Sequence, residues 1–518
     1  MLCLALPFGL AAQPKDLGLI EALASTLERH PLLSVQEQNV QLFEGMRQEA
    51  TGSFDMLLQW SASHSRTNFP LASIQQPDQA VSGIDIDNNV SGATSVSGNA
   101  TKLFRNGIQA GPIVQLNRAR DSLLTGLGIN RSSVLFQVNL PLLRNRGRDV
   151  VAAQETAAGV GVEAELLTLN HRIAELGAAT AIGYWTHLAA HRDLEVLAGS
   201  EERGRVFVQT VEDLIKGDRV PASERAQVSA NLSDRVAARI AAEQEVVRTG
   251  QDLALAMGLP AEEMPLIVKL SDDFPAPPEA GPSELNTNQL KNFIQSALDS
   301  RADLAAAYRR VNVSEVLLTA TQNQTKPQLD VTLSTGWAGL SEGATPWRVF
   351  HSPFSRVQGA DAIASLTYSQ TPARNAANGR IVQAQAGMRQ SDLLALDLSR
   401  AIGASVAVAL SNLRTSQLRL DSADESVHSF GSALQGERDK LRLGVGSLVD
   451  LLTVEDRLTD SLRNQVSARL QYALSIAQLR FASGTVVARD QTAQSIREEI
   501  FFLPPTQSVP PTEQQDAN

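Results

Sequence analysis

Aromatic residues are scarce in this chain, at 4% of 518 residues. A large globular core takes more aromatic volume than that, which argues against the two to four compact domains the length alone would suggest. Cysteine is nearly absent. The single residue, Cys3, excludes an internal disulfide and any cysteine cluster for zinc or iron–sulfur, and no small-residue box precedes it to mark a lipoprotein. Positive charge is in deficit: the net charge is −11, the pI is near 5.3 and no basic run stands out, so no nucleic-acid partner is expected. No stretch offers about 18 uncharged apolar residues, so no membrane-spanning helix is expected. A chain of this kind that crosses a membrane must do so as a closed β-barrel. No glycine-rich phosphate loop follows a strand and no nucleophile–base pair is visible, so neither a catalytic residue nor a cofactor is expected.

What the chain has is alanine, leucine, arginine, glutamate and glutamine in long runs, a composition of long helices packed side by side. Met1 to Ala12 is apolar and ends in small residues. It resembles the apolar core and cleavage site of a secretory signal without the basic start, and is either a truncated signal peptide, the favoured reading, or simply an apolar N-terminus. Removal would leave a cysteine-free chain, as suits the periplasm or outer membrane.

The dominant feature is a pattern written twice. Residues 21–33 (EALASTLERHPLL) and 293–305 (FIQSALDSRADLA) are short amphipathic helices stepping through an arginine into a turn. Helical sequence follows to about Thr51 and Thr325, then alternating strand-like sequence at 54–65 (FDMLLQWSASHS) and 327–337 (PQLDVTLSTGW). A second strand pair, 133–143 (SVLFQVNLPLL) and 362–372 (AIASLTYSQTP), runs through a proline into Arg/Asn-rich turns ending at Gly147-Arg148 and Gly379-Arg380. Very long helical stretches come next, roughly 148–215 and 380–443. A helix of ~65 residues spans on the order of 100 Å, a length that coiled coils and helical barrels use. These helices end at Gly217 and around Gly444, where glycine fits a left-handed cap. Return helices of about 35 residues close at Met257-Gly258 and Ser483-Gly484.

The offset between copies is about 270 residues at the first helix and about 230 at the glycines beyond the strands and at the tips. The shrinkage falls between the strands, so copy one carries an insertion at 66–131, Ser/Asn/Gly-rich, with an Asn106-Gly107 hairpin turn. A flap, or extended strands outside the membrane, is expected there. The domains expected are repeat 1 over 13–270, a linker over 271–286, repeat 2 over 287–485, and a C-terminal segment over 486–518 with a disordered tail from about 503. Along the last return helix the apolar positions Leu451, Val454, Leu458, Leu462, Val466, Leu470, Leu474, Ala477 and Phe481 recur every ~3.75 residues. That exceeds the spacing that imposes a left-handed supercoil and suits nearly straight packing in a wide helical cylinder.

Over about Leu17 to Gly484 this ordered set resembles the TolC family of outer-membrane efflux proteins. Its strongest part is LRLGVGSLVDLLTVEDRL (441–458) with the helix running to Gly484; LPLLRNRGR (140–148) resembles the family's strand-to-helix junction. The resemblance implies a mainly α fold with transmembrane β. It implies a homotrimer, a 12-strand β-barrel continuous with a long 12-helix α-barrel, with two tandem repeats per protomer. It further implies a passive, periplasm-spanning export duct of a tripartite efflux or secretion system in the outer membrane of a Gram-negative bacterium, in contact with outer-membrane lipid. Its partners would be a periplasmic adaptor (membrane fusion) protein and an inner-membrane transporter. The alternative, a soluble periplasmic coiled-coil adaptor or scaffold, predicts only one helical hairpin between globular modules.

Matched to the family, Gly217 of copy one and Leu443, Gly444, Gly446 and Ser447 of copy two fall at adaptor-contact tips. A plain helix cap would use the same glycines. Asp450 falls where the family narrows its periplasmic aperture, as a ring of carboxylates in a trimer. A second family aspartate is replaced by Thr453, with Glu455 and Asp456 as compensating acids. An acid in the first turn of a helix is also stabilised by the helix dipole alone. His187, His191 and Glu195 recur at metal-ligand spacing on one helix, but read as a solvated face, and no metal is expected.

Overall fold

A computed structural model of the chain describes residues 17–72, 88–122, 128–218, 220–263, 270–278, 287–343, 345–443, 445–487 and 498–505. The expected signal segment, the linker beyond residue 278, the tail beyond residue 505 and Gly444 lie outside them. The chain divides into two compact units, each drawing on both copies of the repeat. One comprises Met1–Val40, Ala164–Ala307 and Leu394–Asn518, the other Gln41–Glu163 and Tyr308–Leu393.

The second unit is built on one antiparallel sheet whose six strands lie side by side in chain order. They are β1 (Met56–Pro70), β2 (Asn88–Leu103), β3 (Gln109–Asp121), β4 (Ile129–Pro141), β5 (Gln328–Glu342) and β6 (Val357–Ser369). Successive side chains point to opposite faces, and the register keeps the two faces chemically distinct across the sheet. One face carries Leu58, Trp60 and Ala62, then Val96 and Ala100, Val114 and Leu116, Val134 and Phe136, Leu333 and Trp337, and Leu366 and Tyr368. The other is laced by hydroxyl and amide pairs: Ser61 with Ser97 (2.7 Å), Thr67 with Ser91 (2.6 Å), Ser95 donating to Asn117 (2.7 Å) and Thr332 donating to Asn139 (3.1 Å). The Trp60 ring lies across Gly98, where an added Cβ would meet it at 2.5 Å.

Among the described residues copy one therefore supplies four strands and copy two supplies two, where one pair from each was expected. The insertion is not a separate flap: its residues 88–103 and 109–121 pair with β1 and β4 in the same sheet. Small residues on the apolar face of β2, Gly92, Gly98 and Ala100, had flattened the alternation by which a strand is recognised. The Asn106-Gly107 turn forms as expected, with Gly107 left-handed (φ 97) and its N–H donating to Phe104 O at 2.8 Å.

The helices match the expected lengths. They are α1 (Leu19–Arg29), α2 (Pro31–Gly52), α3 (Ala153–Lys216), α4 (Glu224–Ala256), α5 (Thr287–Ser300), α6 (Ala302–Asn323), α7 (Asn375–Arg442) and α8 (Leu448–Ala482). Gly379 lies inside α7 rather than before it; the left-handed residue at that junction is Arg374 (φ 48). Part of α7 is apolar enough to pass for a membrane helix, contrary to expectation. In the first unit its Ile402, Val406, Ala409 and Leu410 pack on Ala297 of α5, Leu304 of α6 and Leu479 of α8.

That cluster has a counterpart from copy one, in which α1 (Leu19, Ala22, Leu23), α3 (Tyr184, Trp185, Leu188) and α4 (Leu253, Met257) join Ala473 and Ala477 of α8. Tyr184 donates to Leu17 O at 3.0 Å and to Asp272 Oδ2 at 2.8 Å, which ties the start of the chain to the segment after repeat 1. In each copy the return helix ends in a left-handed glycine, Gly258 (φ 72) and Gly484 (φ 69). Each presses on the break between the two short helices, Gly258 against His30 and Gly484 against Ser300 and Arg301. A Cβ would collide with backbone at Gly258 and be tightly crowded at Gly484, and the left-handed φ that the two share selects glycine in both copies.

The apolar stripe of α8 is not its buried face. Of that row only Leu451 and Ala477 are buried; the positions from Val454 to Leu474 are half-buried. The side that packs within the chain carries Leu452, Glu455, Thr459, Ala468, Tyr472, Ile476 and Leu479.

Candidate functional site

The hairpin turns, all in the first unit, hold most of the residues singled out. At the first turn α3 ends with the Gly217 N–H donating to Asp213 O (3.1 Å) and the Asp218 N–H to Ile215 O (3.0 Å). The left-handed residue is Asp218 (φ 54), not Gly217; aspartate tolerates that region better than most side chains. Ser223 stands before α4 without a capping hydrogen bond from its side chain.

The second turn is built differently. The Leu443 N–H donates to Asp439 O (3.0 Å) and the Val445 N–H to Lys440 O (3.1 Å), which closes α7. Ser447 then caps α8, its hydroxyl accepting from the Val449 N–H at 3.2 Å. Gly446 packs on the α7 backbone, since a Cβ there would lie 2.7 Å from Leu441 N. Leu443 and Val445 stand out, 79% and 76% exposed.

Asp450 and Thr453 are exposed on the first turns of α8, with Thr453 Oγ1 donating to Val449 O at 2.8 Å. Lys440 on the facing helix has its ammonium pKa raised, first by its hydrogen bond to Glu437 and in smaller part by Asp450. Glu455 does not join them. Its side chain is 9% exposed and sits among three arginines: Arg203 of α3, which donates from Nε, Arg235 of α4 (3.7 Å) and Arg438 of α7 (3.5 Å). Arg235 also pairs with Asp456 at 2.9 Å and donates to Asn231 (2.8 Å) and to the carbonyl of Ser200 (3.0 Å). As a compensating aperture acid Glu455 is thus already neutralised. Asp456, half exposed, keeps one oxygen on Arg235. Below the cage, Leu452 of α8 packs with Val211 of α3 and Val228 of α4.

The cage was invisible in the sequence because its members come from two helical hairpins, with Arg203 and Arg235 on one and Arg438 and Glu455 more than 200 residues further on. The only local sign was an acid, Glu455, followed by threonine at the next turn, Thr459, which donates to Ser200 Oγ at 3.1 Å. A second buried acid, Glu201, is held by Arg205 and by Arg239 at 2.5 Å.

The histidine row is not a solvated face. His187 is 1% exposed, shares a hydrogen bond with Thr249 Oγ1 (2.9 Å) and lies edge-on to His191 with ring centroids 4.7 Å apart. Burial, and secondarily the neighbouring His191, lowers its pKa to about 4. Among the described residues no group of three or more His, Cys, Asp or Glu is placed to hold a metal.

Residues 293–485 match the family model described as outer membrane efflux protein. That span contains α6, β5, β6, α7 and α8, including the 441–484 stretch that carried the resemblance. A search of curated protein sequences finds no significant match. Among solved structures, the CmeC outer membrane channel of Campylobacter jejuni is similar at 14% identity and a TM-score of 0.64, over 91% of this chain and 87% of that one. The outer membrane protein VceC of Vibrio cholerae is similar at 14% identity and 0.61, over 90% and 96%. The open state of the MtrE outer membrane channel of Neisseria gonorrhoeae gives 17% and 0.60, over 92% of each.

Proposed function

We infer, from the match of its second repeat and from its fold, that the chain is a TolC-like outer membrane efflux protein and the passive export duct of a tripartite efflux or secretion system. It sits in the outer membrane of a Gram-negative bacterium with a periplasmic helical portion. The observation that carries the reading is one chain holding two long helical hairpins of nearly equal length and a sheet with one apolar and one hydroxyl-lined face. A sheet of that kind suits a barrel wall with lipid on one side and water on the other. The adaptor reading called for a single hairpin and has no use for such a sheet.

The working unit is a homotrimer. Support comes from apolar surface that a single chain leaves partly or wholly uncovered: the half-buried Val454, Leu458, Leu462 and Val466 of α8, and Leu394, Leu396, Val408 and Leu418 of α7, all exposed. Patches of that kind mark subunit contacts. The duct opens at its hairpin tips on engaging a periplasmic adaptor and an inner-membrane transporter. Gly217, Leu443, Gly444, Gly446 and Ser447 form the adaptor surface, a reading favoured by the exposed Leu443 and Val445, which have no packing role in the chain. Asp450, beside Thr453, lines the aperture as a ring of three carboxylates. The gate belongs to the second copy, whose turn is capped and whose first helical turn bears the free acid.

Membrane fractionation and heating of a detergent extract test the reading. The protein should fractionate with outer membranes and run as a trimer that heat dissociates. Release into the soluble fraction without detergent would overturn it.

A further inference from the structure

The six-strand sheet changes the size of the barrel. We propose that the β2–β3 hairpin is membrane wall, that β1 of each copy pairs with β6 of the next, and that the trimer closes an eighteen-strand barrel. The number of copies rests on the reading above; the strand contribution per copy does not.

The hairpin carries the two-faced chemistry of its neighbours through its central rows, with Ile113 an apolar exception on the hydroxyl face. One row runs Trp60, Gly98, Val114, Val134, Trp337, Ala360 across all six strands. The adjacent row begins Ser61, Ser97, Gln115, Ser133. A flap in water has no need of an apolar face in register with strands that meet lipid. The edges supply the second argument. β1 and β6 are exposed at every position and pair with β2 and β5 alone. In hydrocarbon an unpaired edge leaves a row of N–H and C=O groups without partners, which is why membrane sheets close on themselves. The occupant of those edges is a second copy of this chain. Six antiparallel strands in chain order leave β1 and β6 running in opposite directions. β6 of one copy therefore offers β1 of the next an antiparallel partner, as an even-numbered barrel requires. Strands about 4.8 Å apart and tilted about 40° give a backbone diameter of about 36 Å for eighteen strands, against about 24 Å for twelve. The cross-section is larger by about 2.3-fold, in the range of barrels that keep a water-filled lumen.

Single cysteines in a Cys3→Ser background, assayed in proteoliposomes with a membrane-impermeant maleimide, test the wall. Ser95→Cys and Gln115→Cys should label at least 10-fold faster than Val96→Cys and Leu116→Cys. Equal labelling of all four would restore the flap and overturn the proposal. Ser63→Cys in β1 combined in turn with Ile363→Cys, Ser365→Cys or Thr367→Cys in β6 tests the edges. On oxidation at least one combination should join neighbouring chains, and failure of every combination refutes the pairing. Native mass spectrometry of the same folded, heat-dissociable preparations fixes the count. Three chains with alternating labelling give eighteen strands. Two chains with the same labelling refute both the trimer and the eighteen. Three chains with equal labelling sink this proposal alone.

Discussion

Truncation of Glu455 to alanine should loosen the hairpins near their tips more than any neighbouring change. The carboxylate is the common partner of Arg203, Arg235 and Arg438 and the link between helices of both copies. Without it Arg235 keeps Asp456, while Arg203 and Arg438 lose the carboxylate they share. Removing one partner of a buried ion pair costs about 3–5 kcal/mol, because the charge left behind stays desolvated. The lower end applies, since Arg203 and Arg438, 30% and 44% exposed, can turn toward water while Arg235, at 8%, cannot. About 3 kcal/mol is a local opening equilibrium raised on the order of 100-fold. Hydrogen exchange along residues 449–459 reads it directly as lost protection. Glu455→Gln, which keeps an acceptor but not the charge, should fall between parent and alanine. Arg438→Ala should cost under about 1 kcal/mol, as a half-exposed, screened pair does. If Glu455→Ala exchanges like the parent, or if Arg438→Ala costs as much, the cluster is solvated and the reasoning fails.

Three other outcomes follow from the geometry. Asp450→Asn should weaken cation preference in planar bilayers, seen as a reversal potential moved toward zero in a salt gradient, while Asp456→Asn should leave it in place; equal shifts from both would remove Asp450 from the aperture. His187 is held neutral with a pKa depressed to about 4, so its contribution to stability is complete above about pH 6.5 and is lost as pH falls toward 4. Over that window the melting curve of His187→Gln should close on the parent's by about 2–3 kcal/mol, discounted from the full linkage value, and a constant gap would show that the ring protonates freely. Gly258→Asn should destabilise as much as Gly258→Ala despite asparagine's tolerance of left-handed backbone, because either Cβ would sit 2.6 Å from His30 Cα; a mild asparagine variant would mean that only the dihedral matters.

The features legible in the sequence are those whose cause is local. The four long helices, their turns, the breaks near His30 and Arg301 and the closing glycines are each set within a dozen residues by periodicity and by what glycine permits. Strands β1, β4, β5 and β6 announced themselves through bulky apolar residues such as Leu58, Phe136, Leu333 and Leu366, alternating with serine, threonine and glutamine. β2 did not, because its apolar face is made of residues too small to show contrast. Gly98 is small because Trp60 of the neighbouring strand covers it, a fact that resides in another segment of the chain.

The same division explains the errors at the site. The row from Val454 to Leu474 is the more apolar side of α8, and reading it as the core assumes that burial happens within one chain. Inside the protomer the helix buries Glu455 and Thr459, polar groups that are tolerable there because partners reach them from Arg203 and Ser200. An apolar stripe kept half-exposed beside a buried side that also holds Glu455 and Thr459 is what a helix shows when one side holds its own chain in register and the other waits for a neighbour. The argument that fills the sheet edges with second copies thus applies to this helix as well. Substituting charge at Leu462 or Val466, half-buried positions of the stripe, should dissociate the oligomer while leaving the helix content of the chain in place. Loss of helix content with the oligomer intact would place the stripe in the protomer core and undo both arguments together.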